Sequence, residues 1–235
     1  MKTVVIVAAG LSSRLYPLTE RSPKSLLPLC NEKILERNLR ILEGNGFERI
    51  IVVTGYLKEM IENVVEDRAI TVFNPFYKYC NNMGSLYFAK NFVSEEPFLY
   101  LHGDVVFSEV LLQQFLNNLS EQHFIDLAVD FKETDEEAMK VQIDDQAFLV
   151  QSSKEISFED SKGEWIGLAA IHQPVKLFKQ IEQVLATEHM NVYDTYAFTE
   201  LAQKGEKIKC LPIHNEPWVE IDFIEDYEKA KELFT

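Results

Sequence analysis

Basic residues, cysteines and long apolar segments are all scarce in this 235-residue chain. Its 23 Lys and Arg against 38 Asp and Glu give a formal charge of −15, and a surface this negative excludes a basic nucleic-acid interface. The three cysteines, Cys30, Cys80 and Cys210, lie far apart and are odd in number, which excludes a disulfide framework and a CxxC metal site. We therefore expect a cytoplasmic protein with neither nucleic acid nor a membrane among its partners.

The start of the chain predicts a core strand instead of a membrane span or a signal peptide. The apolar stretch over residues 4–10 is too short to cross a bilayer and lacks a cleavage context. With 46% apolar residues the chain can bury a full core. Because it has no repeats and no linker-like segments, it is predicted to form one domain over residues 1–235.

Buried β-branched runs and helical patterns alternate through the first half of the chain. Such alternation is typical of a right-handed parallel α/β sheet, in which ligands bind beyond the carboxyl ends of the strands. The predicted strands cover residues 3–9, 49–54, 70–73 and 98–102, and the predicted helices cover 32–46, 57–65 and 86–92.

The pattern changes after residue 125, where short strands follow one another with turns between them and antiparallel pairing is expected. The whole chain therefore predicts an α/β fold with a Rossmann-like mixed, mainly parallel sheet flanked by helices. The predicted strands here cover 126–130, 139–143, 148–151, 165–171, 208–213 and the segment 218–222, and the predicted helices cover 175–188, 193–204 and the last residues to 234.

The loop after the first strand carries candidate anion-binding groups. It matches neither GxGxxG nor GxxxxGK[ST], which removes the main support for a dehydrogenase or a P-loop NTPase. A turn bearing Gly10 exposes backbone N–H groups, while Arg14 and Lys24 add a guanidinium fork and a point charge. These groups suit phosphate oxygens, although both cations also fit ordinary surface positions after a core strand.

Two acidic segments predict a divalent cation site. Asp104 follows an apolar strand, and Glu220 and Asp222 alternate so that both point to one side, where they could face Asp104. Magnesium commonly takes one or two carboxylates plus phosphate oxygens. Taken singly, Asp104 and Asp222 also fit helix N-cap positions.

Five motifs occur together and in order over nearly the whole chain. They are Ala-Ala-Gly-x-x-Ser-Arg with Pro-Lys at 8–24, Val-Thr-Gly-Tyr-Leu-Lys-Glu at 53–59, Asn-Asn-x-x-Ser-Leu at 81–86, Gly-Asp at 103–104 and Glu-Ile-Asp with Asp-Tyr at 220–227. In these motifs the chain resembles the nucleotidyltransferases that act on sugar phosphates and choline phosphate. It is most similar to the small cytidylyltransferases that activate phosphocholine, inositol phosphate, aminoethylphosphonate or related headgroups.

The resemblance implies a GT-A-like architecture, with residues 1–125 as a nucleotide-binding half. Residues 126–235 would then hold a small antiparallel acceptor-binding elaboration and the C-terminal strand and helix of the metal site. It implies catalytic roles for Arg14, Lys24, Asp104 and Asp222. Asp104 and Asp222 would hold Mg²⁺, or Mn²⁺ in its place, with Glu220 as a further candidate ligand. The implied nucleotide-binding residues are Ala8, Ala9, Gly10, Leu11, Gly55, Asn82, Ser85 and Gly103. The implied acceptor-binding residues are Lys140, Glu164, Trp165, Tyr193 and Asp194.

The implied reaction transfers CMP from CTP to a small phosphorylated or phosphonylated headgroup and releases pyrophosphate. An amine on the acceptor is expected, since Glu164 and Asp194 would otherwise oppose an anionic ligand. The residues leave open a sugar-1-phosphate nucleotidyltransferase using UTP or dTTP, a catalytically silent subunit, and a homodimeric assembly. One departure from the family is Ser12, where relatives often carry glycine, and a less open turn is expected there.

Overall fold

A computed structural model describes residues 1–93, 95–187 and 190–234. Its strands are β1 (Thr3–Ala8), β2 (Pro28–Leu29), β3 (Glu32–Lys33), β4 (Arg49–Thr54), β5 (Ile70–Phe73), β6 (Phe98–His102), β7 (Val105–Phe107), β8 (Ile125–Asp130), β9 (Lys140–Ile143), β10 (Leu149–Ser153), β11 (Gly163–Ile171), β12 (Ile208–Pro212) and β13 (Trp218–Glu220). Its α-helices are α1 (Ile34–Gly44), α2 (Lys58–Val65), α3 (Asn82–Tyr87), α4 (Lys90–Val93), α5 (Glu109–Asn117), α6 (Pro174–Thr187), α7 (Asp194–Gln203) and α8 (Ile224–Leu233).

The central sheet joins the two halves of the chain. Its strands follow the order β10-β9-β11-β6-β1-β4-β5, with β8 paired to β11 and β12 paired to β8. The pairs β6-β1, β1-β4, β4-β5 and β12-β8 are parallel. Strand β11 runs antiparallel to its neighbours β6, β8 and β9. This arrangement confirms the predicted mixed sheet, including the antiparallel elaboration in the second half.

Both faces of the sheet are covered by helices, which explains the continuous apolar strand sequences. Alternate residues of β1 lie on opposite faces: Val5 and Val7 pack toward α3, α6 and α7, and Val4 and Ile6 pack toward α1, α2 and α5. A smaller cluster holds α8 against β13 through Val219, among other residues. Within the described ranges, no helix is long and apolar enough to cross a membrane.

The strand ends determine where polar groups meet. Strands β1 and β6 run parallel, so the residues after Ala8 and after His102 lie at the same edge of the sheet. Strand β7 then pairs with β13 in a separate two-stranded sheet, and the backbone N–H of Ile221 donates to the Asp104 carbonyl at 3.1 Å. This pairing places Glu220 and Asp222 beside Asp104, although more than 100 residues separate them in sequence.

Most predicted elements are present, with shifted ends. The predicted helix over 86–92 is wrong in its bounds, because α3 begins earlier, at Asn82, where the Asn81 side chain accepts the Asn82 N–H, and a separate helix α4 follows. The predicted helix over 32–46 begins only at Ile34, since residues 32–33 form β3. The predicted end of α6 at Glu188 lies outside the described residues.

Candidate active site

A cavity of about 260 Å³ opens at the carboxyl ends of β1 and β6. Its walls come from the first loop, the start of α3, the residues after β6, the segment before β9, the turn after β10, strand β11 and the residues around the end of β13. Its lining is more polar than apolar, and both charge signs are present. Such a concave polar site at the edge of an α/β sheet is where ligands of this architecture bind.

The first loop lies against two glycines that hold its backbone in place. The N–H of Tyr56 donates to the Ala9 carbonyl at 3.1 Å, and the N–H of Gly103 donates to the Val7 carbonyl at 2.8 Å. A Cβ atom on Gly55 would lie 2.4 Å from the Ala9 carbonyl oxygen, so only glycine allows this approach. Gly55 therefore supports the loop from behind without lining the cavity.

Ser12 adopts the left-handed conformation that glycine favours, with φ 53° and ψ 40°. Its carbonyl accepts hydrogen bonds from the Thr19 hydroxyl at 2.6 Å and from the Leu15 N–H at 3.2 Å. These contacts hold the serine in a conformation that costs an L-residue about 1 kcal/mol. The backbone of this turn therefore has the shape that glycine would give it. Serine differs from glycine here in the conformational cost of that shape.

Lys24 lies between the two aspartates that were predicted to share a cation. Its Nζ is 2.6 Å from Asp104 Oδ2 and 2.9 Å from Asp222 Oδ1. Burial alone would lower the pKa of Lys24, but the two carboxylates raise it above its usual value. Arg14 reaches the other oxygen of Asp222 at 2.8 Å and lies 3.3 Å from Glu137. Burial opposes ionisation of Asp222, yet Lys24 holds the pKa of that carboxyl below its usual range.

The carboxylates fit a divalent cation. Asp104 Oδ1 is buried and has no hydrogen-bond partner among the described residues, although its charge needs one. Asp222 and Glu220 present further carboxylate oxygens to the same cavity, and oxygen ligands of this kind suit Mg²⁺. Asp104 and Asp222 could hold the ion together once the Lys24 ammonium leaves the space between them.

A hydrogen-bonded network of buried polar side chains lies behind the same cavity. His102 Nε2 is 2.8 Å from Asp194 Oδ2, and the Tyr100 hydroxyl donates to that oxygen at 2.6 Å. The other ring nitrogen, Nδ1, lies 3.9 Å from Glu220 Oε1. Burial would lower the pKa of His102, but Asp194 and Glu220 raise it to about 10. His102 is therefore cationic at neutral pH when no other cation is near.

A second cavity, of about 430 Å³, lies on the other side of Glu220 and Asp222. Glu164 lines it and is 3.7 Å from Lys132 Nζ. Burial raises the pKa of Glu164 to about 7 despite that lysine. The wall shared by the two cavities is consequently acidic on both faces.

The structure brings most of the predicted site residues to the main cavity, and their roles stay predictions. Those that line it are Ala8, Ala9, Gly10, Arg14, Lys24, Asn82, Gly103, Asp104, Trp165, Tyr193, Glu220 and Asp222. Those that do not line it are Leu11, Gly55, Ser85, Lys140, Glu164 and Asp194.

Three of the predicted residues that do not line the cavity have other hydrogen-bond partners. Lys140 is 2% exposed and donates to the Lys154 carbonyl at 2.8 Å, so its charge does not reach the cavity. Asp194 is fully buried on Tyr100 and His102. Ser85 is buried at 3.0 Å from the Asn74 amide nitrogen. Periodicity alone could not show which way these side chains turn.

Sequence reasoning missed three charged residues of the cavity. His102 was not among the predicted site residues, although its position directly before Gly103 and Asp104 at a strand end was an available signal. Glu137 and Lys154 also line the cavity and form an ion pair at 3.0 Å. Because they lie on turns 17 residues apart, nothing in the local sequence pairs them.

With this geometry in place, the chain is identified by comparison: it belongs to the family defined by the MobA-like NTP transferase domain, whose model matches residues 4–196. It is 24% identical to the CTP:phosphoglutamine cytidylyltransferase of Campylobacter jejuni over 95% of this chain and 97% of that protein. It is 39% identical to the choline-phosphate cytidylyltransferase of Streptococcus pneumoniae over 37% of this chain and 38% of that protein.

Solved structures share the fold. An inositol-1-phosphate CTP transferase from T. maritima superposes with a TM-score of 0.84 at 22% identity, over 99% of this chain and 96% of the other. A UDP-glucose pyrophosphorylase from Acinetobacter superposes with a TM-score of 0.77 at 18% identity, over 98% and 92%. At these identities the likeness establishes the fold alone, and headgroup and sugar enzymes share it. The protein is a nucleotidyltransferase, and the enzymes of this family generally use a divalent metal ion.

Proposed function

We propose that this protein transfers CMP from CTP to a small phosphorylated or phosphonylated acceptor that carries an amine, and releases pyrophosphate. The observation that carries the proposal is the single cavity in which Arg14 and Lys24 lie on the side of the first loop and Glu137 and Glu220 lie across from them. A polyanion and a cationic group would each find opposite charge there.

The first loop supplies the nucleotide side. Its backbone N–H groups and the two cations Arg14 and Lys24 offset the charge of a triphosphate. Both cations are held by Asp222 in the absence of nucleotide, so binding of the triphosphate exchanges carboxylate partners for phosphate partners. Asp104 and Asp222 would hold Mg²⁺, or Mn²⁺ in its place, once the cations have turned to the triphosphate.

The acceptor side differs from the one expected from sequence. Asp194 is buried and Glu164 faces the second cavity, so neither contacts an acceptor in the main cavity. Glu137 takes that role in the proposal, since it is half exposed and keeps Lys154 as a partner when Arg14 turns to the triphosphate. Tyr193 adds an exposed aromatic face, which suits a cationic headgroup.

The chemistry needs no protein nucleophile. An oxygen of the acceptor phosphate or phosphonate attacks the α-phosphorus of CTP, and the bond to the bridging oxygen of pyrophosphate breaks. The protein has to bring two polyanions together in line and to stabilise the charge of the leaving group. Arg14 and Lys24 do this from the protein side, and the metal supplies a Lewis acid to the phosphate oxygens when it is bound.

A pyrophosphate-release assay tests the proposal. We expect turnover with CTP in preference to UTP, ATP and GTP, with phosphocholine or 2-aminoethylphosphonate in preference to inositol 1-phosphate and glucose 1-phosphate, and none in excess EDTA. The CTP preference is supported by the names of the relatives above and by the Asn81-Asn82 segment at the cavity. Turnover only with UTP or dTTP and glucose 1-phosphate would establish the sugar-nucleotide alternative instead.

One variant tests the assigned acceptor contact. Glu137→Gln should raise KM for an amine-bearing acceptor about tenfold, as expected for loss of a charged hydrogen bond, and should leave KM for inositol 1-phosphate unchanged. The neighbouring exposed residue provides a matched control, Glu136→Gln, which removes the same charge one residue away. Equal effects of Glu137→Gln on both acceptors would place the amine elsewhere.

A further inference from the structure

On the acceptor side of this cavity lies Lys154, whose ammonium group is already paired with Glu137 at 3.0 Å. Lys140, which the family resemblance placed beside the acceptor phosphate, is buried on the Lys154 carbonyl. Lys24 and Arg14 lie on the nucleotide side, where the triphosphate needs them. Two polyanions would therefore approach each other with one paired lysine on the acceptor side, where a further positive charge would offset their repulsion.

Three ligand atoms converge on that side. A nitrogen of His102 and carboxylate oxygens of Asp104 and Glu220 all lie within 4.8 Å of one another. Ligands about 2.1 Å from one ion can be at most about 4.2 Å apart, so closing the set requires side-chain movements of about half an ångström. Asp104 contributes an oxygen that is buried and has no partner among the described residues.

The histidine is oriented as metal-binding histidines usually are. Its Nε2 is held by the Asp194 carboxylate at 2.8 Å, and Asp194 is itself held by the Tyr100 hydroxyl. A carboxylate on one ring nitrogen fixes the ring and leaves the other nitrogen, Nδ1, to bind an ion. Nδ1 lies 3.9 Å from Glu220 and 3.4 Å from the Asn82 amide nitrogen, a long contact that an ion would replace.

We infer that His102, Asp104 and Glu220 form a second divalent cation site, which shares Asp104 with the Asp104 and Asp222 pair and is able to neutralise the acceptor phosphate. One nitrogen and two carboxylate oxygens favour Mn²⁺, Co²⁺ or Zn²⁺ over Mg²⁺, because imidazole suits the transition metals better. Three protein ligands leave coordination positions for water or for a phosphate oxygen. The use of the ion in catalysis rests on the proposed function, while its binding does not.

The test measures Mn²⁺ binding to the full chain without nucleotide. Electron spin-echo envelope modulation of bound Mn²⁺ detects a directly coordinated histidine through its ¹⁴N coupling. We expect this coupling in the wild type and in Asp222→Asn, which removes a ligand of the other pair only. It should also persist in His214→Gln, which removes an exposed histidine. It should be lost in His102→Phe.

Two further variants keep the inference falsifiable if His102→Phe does not fold. Glu220→Gln changes a partly exposed ligand and should weaken Mn²⁺ binding at least tenfold by isothermal titration calorimetry. Asp194→Asn changes the group behind the histidine and should weaken binding about tenfold. Absence of ¹⁴N coupling in the wild type, or its loss in Asp222→Asn, would overturn the inference.

These outcomes are distinguishable from failure of the proposed function. CMP transfer in Mg²⁺ without ¹⁴N coupling in Mn²⁺ would remove only the second cation site. Histidine-coordinated Mn²⁺ in a protein that does not transfer CMP to any acceptor tested would remove only the proposed function.

Discussion

Glu164 provides a quantitative test of the acidic wall between the two cavities. Burial raises the pKa of this carboxyl from its usual 4.5 to about 7 in the folded protein. The rise of about 2.5 pH units corresponds to about 3 kcal/mol, at 1.36 kcal/mol per unit. Replacing the carboxyl by an amide in Glu164→Gln keeps the shape of the side chain and removes its ionisation.

The sign of the effect follows from proton linkage. Because the pKa is higher in the folded state, the folded protein favours the protonated carboxyl. The contribution of Glu164 to stability is fully present below about pH 4.5 and is lost as the pH rises through 7. Glu164→Gln should therefore stabilise the protein by about 1.5 kcal/mol at pH 5.5 and by about 3 kcal/mol at pH 8.5.

Urea unfolding at pH 5.5, 7 and 8.5 measures this gain. Glu159→Gln removes an exposed carboxyl five residues away and is the matched control. A Glu164→Gln variant that is less stable than the wild type at pH 8.5 would refute the reasoning. It would mean that the ion pair with Lys132 at 3.7 Å outweighs the cost of burying the charge.

Three further predictions concern the first loop and its lysine. Lys24→Met removes the ammonium between Asp104 and Asp222 and leaves Arg14 in contact with Asp222, so it should cost about 3–5 kcal/mol in urea unfolding. Added Mg²⁺ should raise the Tm of this variant more than that of the wild type, and equal Tm gains would contradict the carboxylate pair as a cation site. Gly55→Ala places a Cβ against the Ala9 carbonyl, so it should raise KM for CTP and cost about 1–3 kcal/mol in stability. Gly44→Ala is the control and should leave KM unchanged, because its Cβ would meet nothing closer than 4.0 Å. Ser12→Gly should stabilise the protein by up to about 1 kcal/mol, because glycine adopts the left-handed conformation at lower cost than serine, and Ser13→Gly should destabilise it. A loss of stability in Ser12→Gly would show that the contacts of the serine side chain outweigh the backbone cost.

The sequence by itself determined the elements with the strongest patterns. The strands over Thr3–Ala8 and Arg49–Thr54 are buried on both faces, so their apolar runs are continuous and unambiguous. The cations Arg14 and Lys24 and the carboxylate of Asp104 were also predicted as candidate site residues, because they lie in the segments that follow such strands. Parallel strands bring their carboxyl ends to one edge, so position in the chain predicts position in space.

Other features depended on tertiary structure. Lys140 and Asp194 lie at the places in the chain that the family pattern suggests, yet both side chains are buried on other partners instead of facing the cavity. His102 was not predicted as a site residue, yet it lines the cavity beside Glu220. Side-chain direction in β9 and β11 depends on antiparallel register and on the bulge between Trp165 and Ala169, neither of which has a local sequence signal.

The contacts of Lys24 with Asp104 and Asp222 show the limit of what the sequence alone predicts. The sequence supplied three charged residues that could each have been a surface group or a helix cap. Pairing of β7 with β13 brings carboxylates from the middle and from near the end of the chain within 2.9 Å of the Lys24 ammonium group. Short-range sequence patterns record secondary structure, but the energy of a buried charge depends on every group around it, and only the folded chain assembles those groups.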